Sequence, residues 1–377
     1  MAMIIGVLKE PSYEKRVALL PEAIVQLKKF QIEVFVEKDA GEKAFASNED
    51  YLRAGAFIKN KDEILHQANL LVKINPFTPE EIDELKEGQI IAALLNPFHQ
   101  KELINKLIGK GITSFSMETV PRTSRAQAMD ILSSMATIAG YKAVLDAALH
   151  LPKFFPMFMS AAGTIKPAKV LILGAGVAGL QAIATSRKLG AIVEVFDVRA
   201  AVKEEVQSLG GKFIEVEGAR EDKAAGGYAV EQTEEFKQKQ RQLIHDHASK
   251  ANVLITTAQI PGRQAPILIT KETVEAMVPG SVIIDLAAST GGNCELTQNE
   301  KTIIHNQVTI IGKSDYPSDM PSDASKMFGN NLFNFMKLLI DKNGNLHLDF
   351  NDEIVKGTCL THEGQILNER VKQALNL

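Results

Sequence analysis

The chain has 377 residues, 45% of them apolar and 23% charged, with no tryptophan and a formal net charge of −4. That length exceeds one ordinary core and implies two domains, and the mildly acidic balance argues against nucleic-acid binding, which needs a basic face. The two cysteines, Cys294 and Cys359, lack CxxC spacing, which argues against a disulfide framework or structural zinc site and implies a reducing, intracellular setting.

The N-terminal "MAMIIGVLKE" reaches charge after a few apolar residues and has no cleavage-site pattern, so it reads as a first strand rather than a signal peptide. No apolar run approaches the roughly 20 residues a membrane span needs, so no direct membrane insertion is expected. Up to about Glu118, the runs "MIIGVL", "IEVFVEK", "LLVKI", "QIIAALL" and "TSFSME" alternate with amphipathic segments such as "PEAIVQLKKF" and "KELINKLIGKG". Such alternation implies βαβ units and a parallel sheet covered by helices. A 3.6-residue apolar period then predicts a long linking helix over 129–151, with Gly140 as its weak point. The following "PKFFPMFMSAAGTIKPA" reads as a loop rich in Phe and Met, suited either to a dimer interface or to packing on the chain's own second lobe.

A second βα series runs through "KVLILG", "AIVEVFDV", "KFIEV", "ANVLITTA", "SVIIDLAA" and "QVTIIG". The expected fold is therefore α/β: two doubly wound, Rossmann-like lobes with parallel sheets and a cleft between them. Residues 1–128 with 328–377 form the first lobe and 129–327 the second. The last helical pattern, "NNLFNFMKLLID", is expected to return to the first lobe, with a polar tail beyond it.

After the strand "KVLILG", Gly174, Gly176 and Gly179 have GxGxxG spacing and open a helix. The first glycine permits a tight turn, the second lets backbone approach a pyrophosphate, and the third allows close helix–strand packing. The helix N-terminus offers N–H groups and a positive dipole end to the phosphates. The next strand ends at Asp197, 18 residues after Gly179, where a carboxylate accepts from ribose hydroxyls and repels a 2′-phosphate. This favours NAD over NADP, although Arg199 is a residue type that reads the extra phosphate. The polar stretch "EGAREDKAAGGYAVEQTEEFKQKQRQ" reads either as a lid hinged at Gly226 and Gly227 and carrying Tyr228, or as a solvated loop leading into a charged helix. Ala258 and Gln259 follow a strand end, where open α/β sheets bind ligands.

A dehydrogenase acting on an alcohol or amine needs an acid or base, and the chain offers poor candidates. "HDH" (His245 to His247) reads as a solvated face, Cys294 as a buried thiol, and Arg16 and Lys73 as ion-pair or surface residues near strand ends. The stretch "VPRTSRAQAMDILSS" instead concentrates Arg122, Gln127, Asp130 and Ser133, the last three at helical steps that share a face. Arg and Gln can donate to a carboxamide oxygen, while Gln, Asp and Ser can accept from its amide hydrogens. The alternative is that Ser124 or Asp130 caps the helix and Arg122 pairs with a nearby acid.

"PRTSRAQAMDILSS", "GAGVAGLQAIATSRKLGA", "FDVRAAVKEEVQSLGGKFI", "KAAGGYA", "ITTAQIPGRQAP", "PGSVIIDLAASTGGNCELT" and "GNNL" closely resemble the NAD(H)-binding component of proton-translocating nicotinamide nucleotide transhydrogenases, in order along nearly the whole chain. The resemblance implies a homodimer that exchanges hydride with NADP(H) on a separate component, coupled to proton movement by membrane-spanning subunits. It implies a cytoplasmic protein held at the inner membrane by those partners, here separate polypeptides because the chain lacks spans. Arg122, Gln127, Asp130 and Ser133 match the family loop that holds the nicotinamide. Gly174, Ala175, Gly176, Val177, Gly179, Asp197, Val198, Arg199, Ala258 and Gln259 match its dinucleotide site, and Gly227 and Tyr228 its mobile lid. No metal is implied. Hydride passing directly between two nicotinamides releases no substrate proton, so the missing acid or base is expected.

The related alanine dehydrogenases supply the competing reading, an amino-acid-oxidising NAD enzyme. Arg16 and Lys73 match that family's pyruvate-binding positions, but Asn96 stands in place of its catalytic histidine and Ser289 in place of its aspartate. Met135, Ala136, Asp319 and Met320 depart from the transhydrogenase pattern without touching an assigned site residue.

Overall fold

The computed structural model describes residues 3–216, 233–259 and 262–376. They form two compact units, one ending at Met135 and resuming at Pro317, the other spanning Ala136–Tyr316. In the first unit, β1 (Ile4–Val7), β2 (Glu33–Glu37), β3 (Phe57–Lys59), β4 (Leu70–Val72), β5 (Ile90–Ala93) and β6 (Thr113–Ser116) pair in parallel in the order β3-β2-β1-β4-β5-β6. The order reverses between β1 and β4, as a doubly wound sheet requires. Strands β4, β5 and β6 are buried throughout, which explains their continuous apolar or small-residue runs. Helices Asn48–Ala54, Lys61–Gln67 and Pro79–Glu84 each start at a capping box, Ser47 with Asp50, Asn60 with Glu63 and Thr78 with Glu81.

The linking helix runs Ile131–His150 and is preceded by a separate 3₁₀ turn, Ser124–Met129. Gly140 does not weaken it. A side chain there would place its first carbon 2.1 Å from the Ala178 carbonyl oxygen, so glycine is what lets two helices of the second unit touch. The Phe- and Met-rich segment forms a small antiparallel hairpin, β7 (Phe158–Ser160) with β8 (Gly163–Ile165), rather than a plain loop.

The second sheet comprises β9 (Lys169–Leu173), β10 (Ile192–Phe196), β11 (Lys212–Ile214), β12 (Val253–Thr256), β13 (Val282–Asp285), β14 (Lys301–His305) and β15 (Val308–Gly312). Its order is β11-β10-β9-β12-β13-β15-β14, parallel except for β14. Along β9, Val170 and Ile172 enter one core while Leu171 and Leu173 enter the other, the two-residue alternation of a strand buried on both faces. The order reverses between β9 and β12.

The chain then re-enters the first unit through helix Pro321–Met336. The segment beyond that helix is not a polar tail. Strand β16 (Cys359–His362) adds antiparallel to β6, β17 (Gln365–Ile366) adds to β16, and Leu360 and Val371 join the first unit's core. No described helix is long and apolar enough to cross a membrane.

Candidate dinucleotide site

The three glycines after β9 meet different demands. Gly174 has φ +104, which favours glycine, and a side chain there would strike the Thr257 hydroxyl at 2.3 Å. At Gly179 a first side-chain carbon would lie 1.9 Å from the Gly174 carbonyl oxygen, so strand and helix approach only because it is absent. At Gly176, the N-cap residue of helix Val177–Lys188, it would meet no protein atom within 4 Å. This glycine leaves open space at the N-terminus of a 12-residue helix with no side-chain cap. A pyrophosphate fits such a place.

Asp197, just past β10, accepts the Ala175 N–H at 2.7 Å, which fastens the glycine turn to the neighbouring strand end. Both its oxygens also accept from Arg199: Nε at 2.9 Å and backbone N at 2.8 Å on Oδ1, Nη2 at 2.8 Å on Oδ2. Those hydrogen bonds, above all, raise the Arg199 guanidinium further above its ordinary range. The arginine is thus turned onto the carboxylate. Val198 is half-buried against the core, Ala175 is buried and Val177 is exposed.

Across the switch point, Thr257 Oγ1 reaches the Gly174 carbonyl at 3.2 Å, joining the end of β12 to the glycine turn. Ala258 is half-buried and Gln259 exposed, and Gln259 Nε2 donates to the Leu286 carbonyl at 3.0 Å. Behind them lies a buried polar network that sequence reasoning missed. Asp285 accepts from Thr256 Oγ1, the Ala287, Asn293 and Cys294 N–H groups and Thr297 Oγ1, all within 3.0 Å. The signal available was polarity, Asp285 ending an apolar strand and Asn293 following paired glycines. Gly227 and Tyr228 lie outside the described residues.

In the first unit, Asp130 caps the linking helix: Oδ1 accepts the Ser133 N–H at 2.9 Å and Oδ2 the Ser133 hydroxyl at 2.6 Å. Asp130 and Ser133 are therefore in direct contact. Gln127 and Ser133 are not on one helix, because the 3₁₀ turn ends at Met129 and Asp130 turns the backbone with ψ 89 before the α-helix begins. Arg122 and Gln127 are exposed. Ala126 and Met129 bury the underside of the turn, and Asn331 Nδ2 holds the Ala128 carbonyl from below at 2.8 Å. It is Arg125 that makes the acid pair beside this turn, meeting both oxygens of Asp352 at 2.6 Å.

The other chemical candidates have structural partners. Arg16 is buried and forked onto Glu14, with Nε at 2.8 Å and Nη2 at 2.6 Å, and its Nη1 donates to Met135 Sδ at 3.2 Å. Lys73, 1% exposed, is paired with Glu81 at 2.9 Å. Asn96 has φ +48, and its N–H donates to Glu118, whose carboxyl burial pushes up. His245 and His247 are not a purely solvated face, since their rings contact Thr273 at 3.0 Å and Glu194 at 2.7 Å. Burial raises the Cys294 thiol to about 11, which leaves it unreactive. Among the described residues no cluster of His, Cys, Asp or Glu could hold a metal ion.

Profiles of the alanine dehydrogenase/PNT N-terminal and C-terminal domains match residues 6–139 and 143–369. The first of the polypeptides that make up NAD(P) transhydrogenase subunit alpha in Rhodospirillum rubrum is 46% identical over 364 residues, 94% of this chain and 95% of that one. The crystal structure of transhydrogenase from Sinorhizobium meliloti superposes with a TM-score of 0.88 at 40% identity, covering 96% of this chain and 99% of that one. An L-alanine dehydrogenase structure is more distant, at 26% identity and a TM-score of 0.84 over 99% of both chains. With both domain profiles and a near full-length relative at this identity, the chain belongs to the alanine dehydrogenase/PNT family and groups with the NAD(P) transhydrogenase alpha subunits.

Proposed function

We propose that this protein binds NAD(H) and exchanges hydride directly with NADP(H) carried by a partner component, the transfer being coupled to proton translocation by membrane-spanning subunits. The observation that carries this is the glycine turn at the β9/β12 switch point, open at Gly176 and fastened to Asp197, in a chain of this family. Gly174, Ala175, Gly176, Val177 and Gly179 hold the pyrophosphate. Asp197, oriented by Arg199 and flanked by Val198, accepts from the adenosine ribose, and Ala258 and Gln259 border the rest of the dinucleotide.

Arg122, Gln127, Asp130 and Ser133 hold the nicotinamide carboxamide. The nicotinamide rings supply the hydride chemistry, and the protein supplies position, which can remove roughly 7–11 kcal/mol of barrier in well-oriented reactions. It works as a homodimer held at the membrane by its partners.

The test is reconstitution with an NADP(H)-binding transhydrogenase component. Hydride transfer between nicotinamide analogues is expected with the partner and little without it, and inertness in the reconstituted mixture would overturn the reading. The alanine dehydrogenase reading predicts NAD reduction by L-alanine without any partner. Asn96 and Ser289 stand where that family's acid–base pair is expected, and such groups typically contribute about 10²–10⁴-fold.

A further inference from the structure

Asn293 is fully buried, and every polar group it owns is used within the protein. Its Oδ1 accepts the Ala258 N–H at 3.0 Å, and its Nδ2 donates to the carbonyls of Ala258 and Pro266, both at 2.9 Å. Its own N–H goes to Asp285 at 2.7 Å, and its carbonyl accepts from the Leu268 and Ile269 N–H groups. One carboxamide thus takes both backbone polar groups of Ala258, as a neighbouring strand would. A residue just past a strand end at a switch point normally keeps those groups for water or ligand.

With its N–H and carbonyl withdrawn, Ala258 can offer a ligand only its methyl and Cα. The adenosine half of a dinucleotide belongs on the β10 side, with Asp197, and the pyrophosphate at the helix after β9. The remaining half crosses to the β12 side, where Ala258 stands next to Thr257 and its contact with Gly174. We infer that Asn293 is a positioning residue for the nicotinamide half of NAD(H), setting Ala258 as an apolar wall at the switch point. This rests on the NAD(H) reading above.

The test compares the full-length protein with Asn293→Ala and Ala258→Val, measuring NADH affinity by fluorescence titration, ADP affinity by competition and folding by circular dichroism. Removing the carboxamide frees the Ala258 backbone, and hydrogen bonds worth about 1 kcal/mol each translate to roughly tenfold weaker NADH binding. Ala258→Val thickens the wall without touching Asn293 and is expected to weaken NADH by at least about fivefold, within the range for an overpacked contact. ADP affinity should stay within about twofold in both variants, since ADP does not reach the β12 side.

Folded variants with parental NADH affinity, or an equal loss for NADH and ADP, would overturn the inference. Should Asn293→Ala not fold, Ala258→Val decides it alone. A parent protein that fails to bind NADH overturns the NAD(H) reading itself, whereas a binding parent with unaffected variants sinks only the role of Asn293.

Discussion

A methyl group at Gly176 would meet no protein atom within 4 Å, while one at Gly179 would lie 1.9 Å from the Gly174 oxygen. Two glycines of one turn should therefore fail differently. Gly176→Ala is expected to keep its unfolding free energy within about 0.5 kcal/mol of the parent, yet to weaken NADH binding at least about tenfold by standing where a pyrophosphate approaches. Gly179→Ala should also lose about 1–3 kcal/mol of stability, because helix and strand must separate. Urea unfolding beside NADH titration checks both, and equal destabilisation would contradict the assignment. Glu14 has its own signature. Burial alone would raise its carboxyl, but the hydrogen bonds and charge of Arg16 outweigh that and hold it at about 2 instead of 4.5. A folded value below the unfolded one stabilises the protein above about pH 4.5, and this contribution is lost as pH falls from there toward 2. A difference of that size corresponds to roughly 3 kcal/mol. Glu10 and Glu118, which burial pushes up, act in the opposite direction. Glu14→Gln should melt lower at pH 7, with Arg16 left unpaired, and lose less further stability than the parent between pH 4.5 and 2. Circular-dichroism melts across that window test this, and an unchanged slope would exonerate Glu14.

The 3₁₀ turn Ser124–Met129 shows what a local reading of sequence captures and what it misses. Strands buried on both faces were legible as apolar runs, and the glycine turn by its spacing, because each signal lies within a few residues. Short edge strands were not: β3, β14 and β17 carry exposed or half-buried residues and little apolar signal, and β16 is defined by its partner β6 far away in the chain. The polarity of 120–134 was legible, but its geometry was not. Asp130 both caps a helix and faces the proposed carboxamide, and no spacing rule separates those roles. Asn331 reaches Ala128 across 203 positions, so only the folded chain reveals that it supports the turn. The two tethers should differ in effect. Arg125 is 51% exposed, and Arg125→Ala is expected to cost less than about 1 kcal/mol, as for most surface ion pairs. Asn331 is buried, so Asn331→Ala should cost about 1–2 kcal/mol and, by loosening the loop, slow hydride transfer about tenfold with little change in NADH affinity. Thermal unfolding and stopped-flow transfer with the partner component measure the pair, and equal effects of both substitutions on the rate would refute the buried tether.

Across the whole molecule the two units are built from the chain in different ways. The second draws its sheet and both its core clusters from one continuous segment, Ala136–Tyr316. The first is closed by residues that arrive last. Thr361 Oγ1 donates to the Ile112 carbonyl at 2.8 Å and meets Ser114 Oγ at 2.7 Å, while Phe335 packs edge-on against Phe115. Removing residues 340–377 would strip β16 and β17 from the first sheet, take Leu360 and Val371 out of its core, and leave β6 as an open edge prone to pairing with other chains. The second unit would lose nothing from its own sheet. The truncated protein is therefore expected to show two separate calorimetric transitions, the first unit melting well below the parent and the 136–316 unit near its original temperature. Because the proposed adenosine and pyrophosphate contacts lie wholly in 136–316, ADP should still bind with parental affinity. The 120–134 loop sits on the damaged unit, so hydride transfer should be lost. Parental melting of the whole truncated chain, or loss of ADP binding together with hydride transfer, would show that the two units do not divide the work in this way.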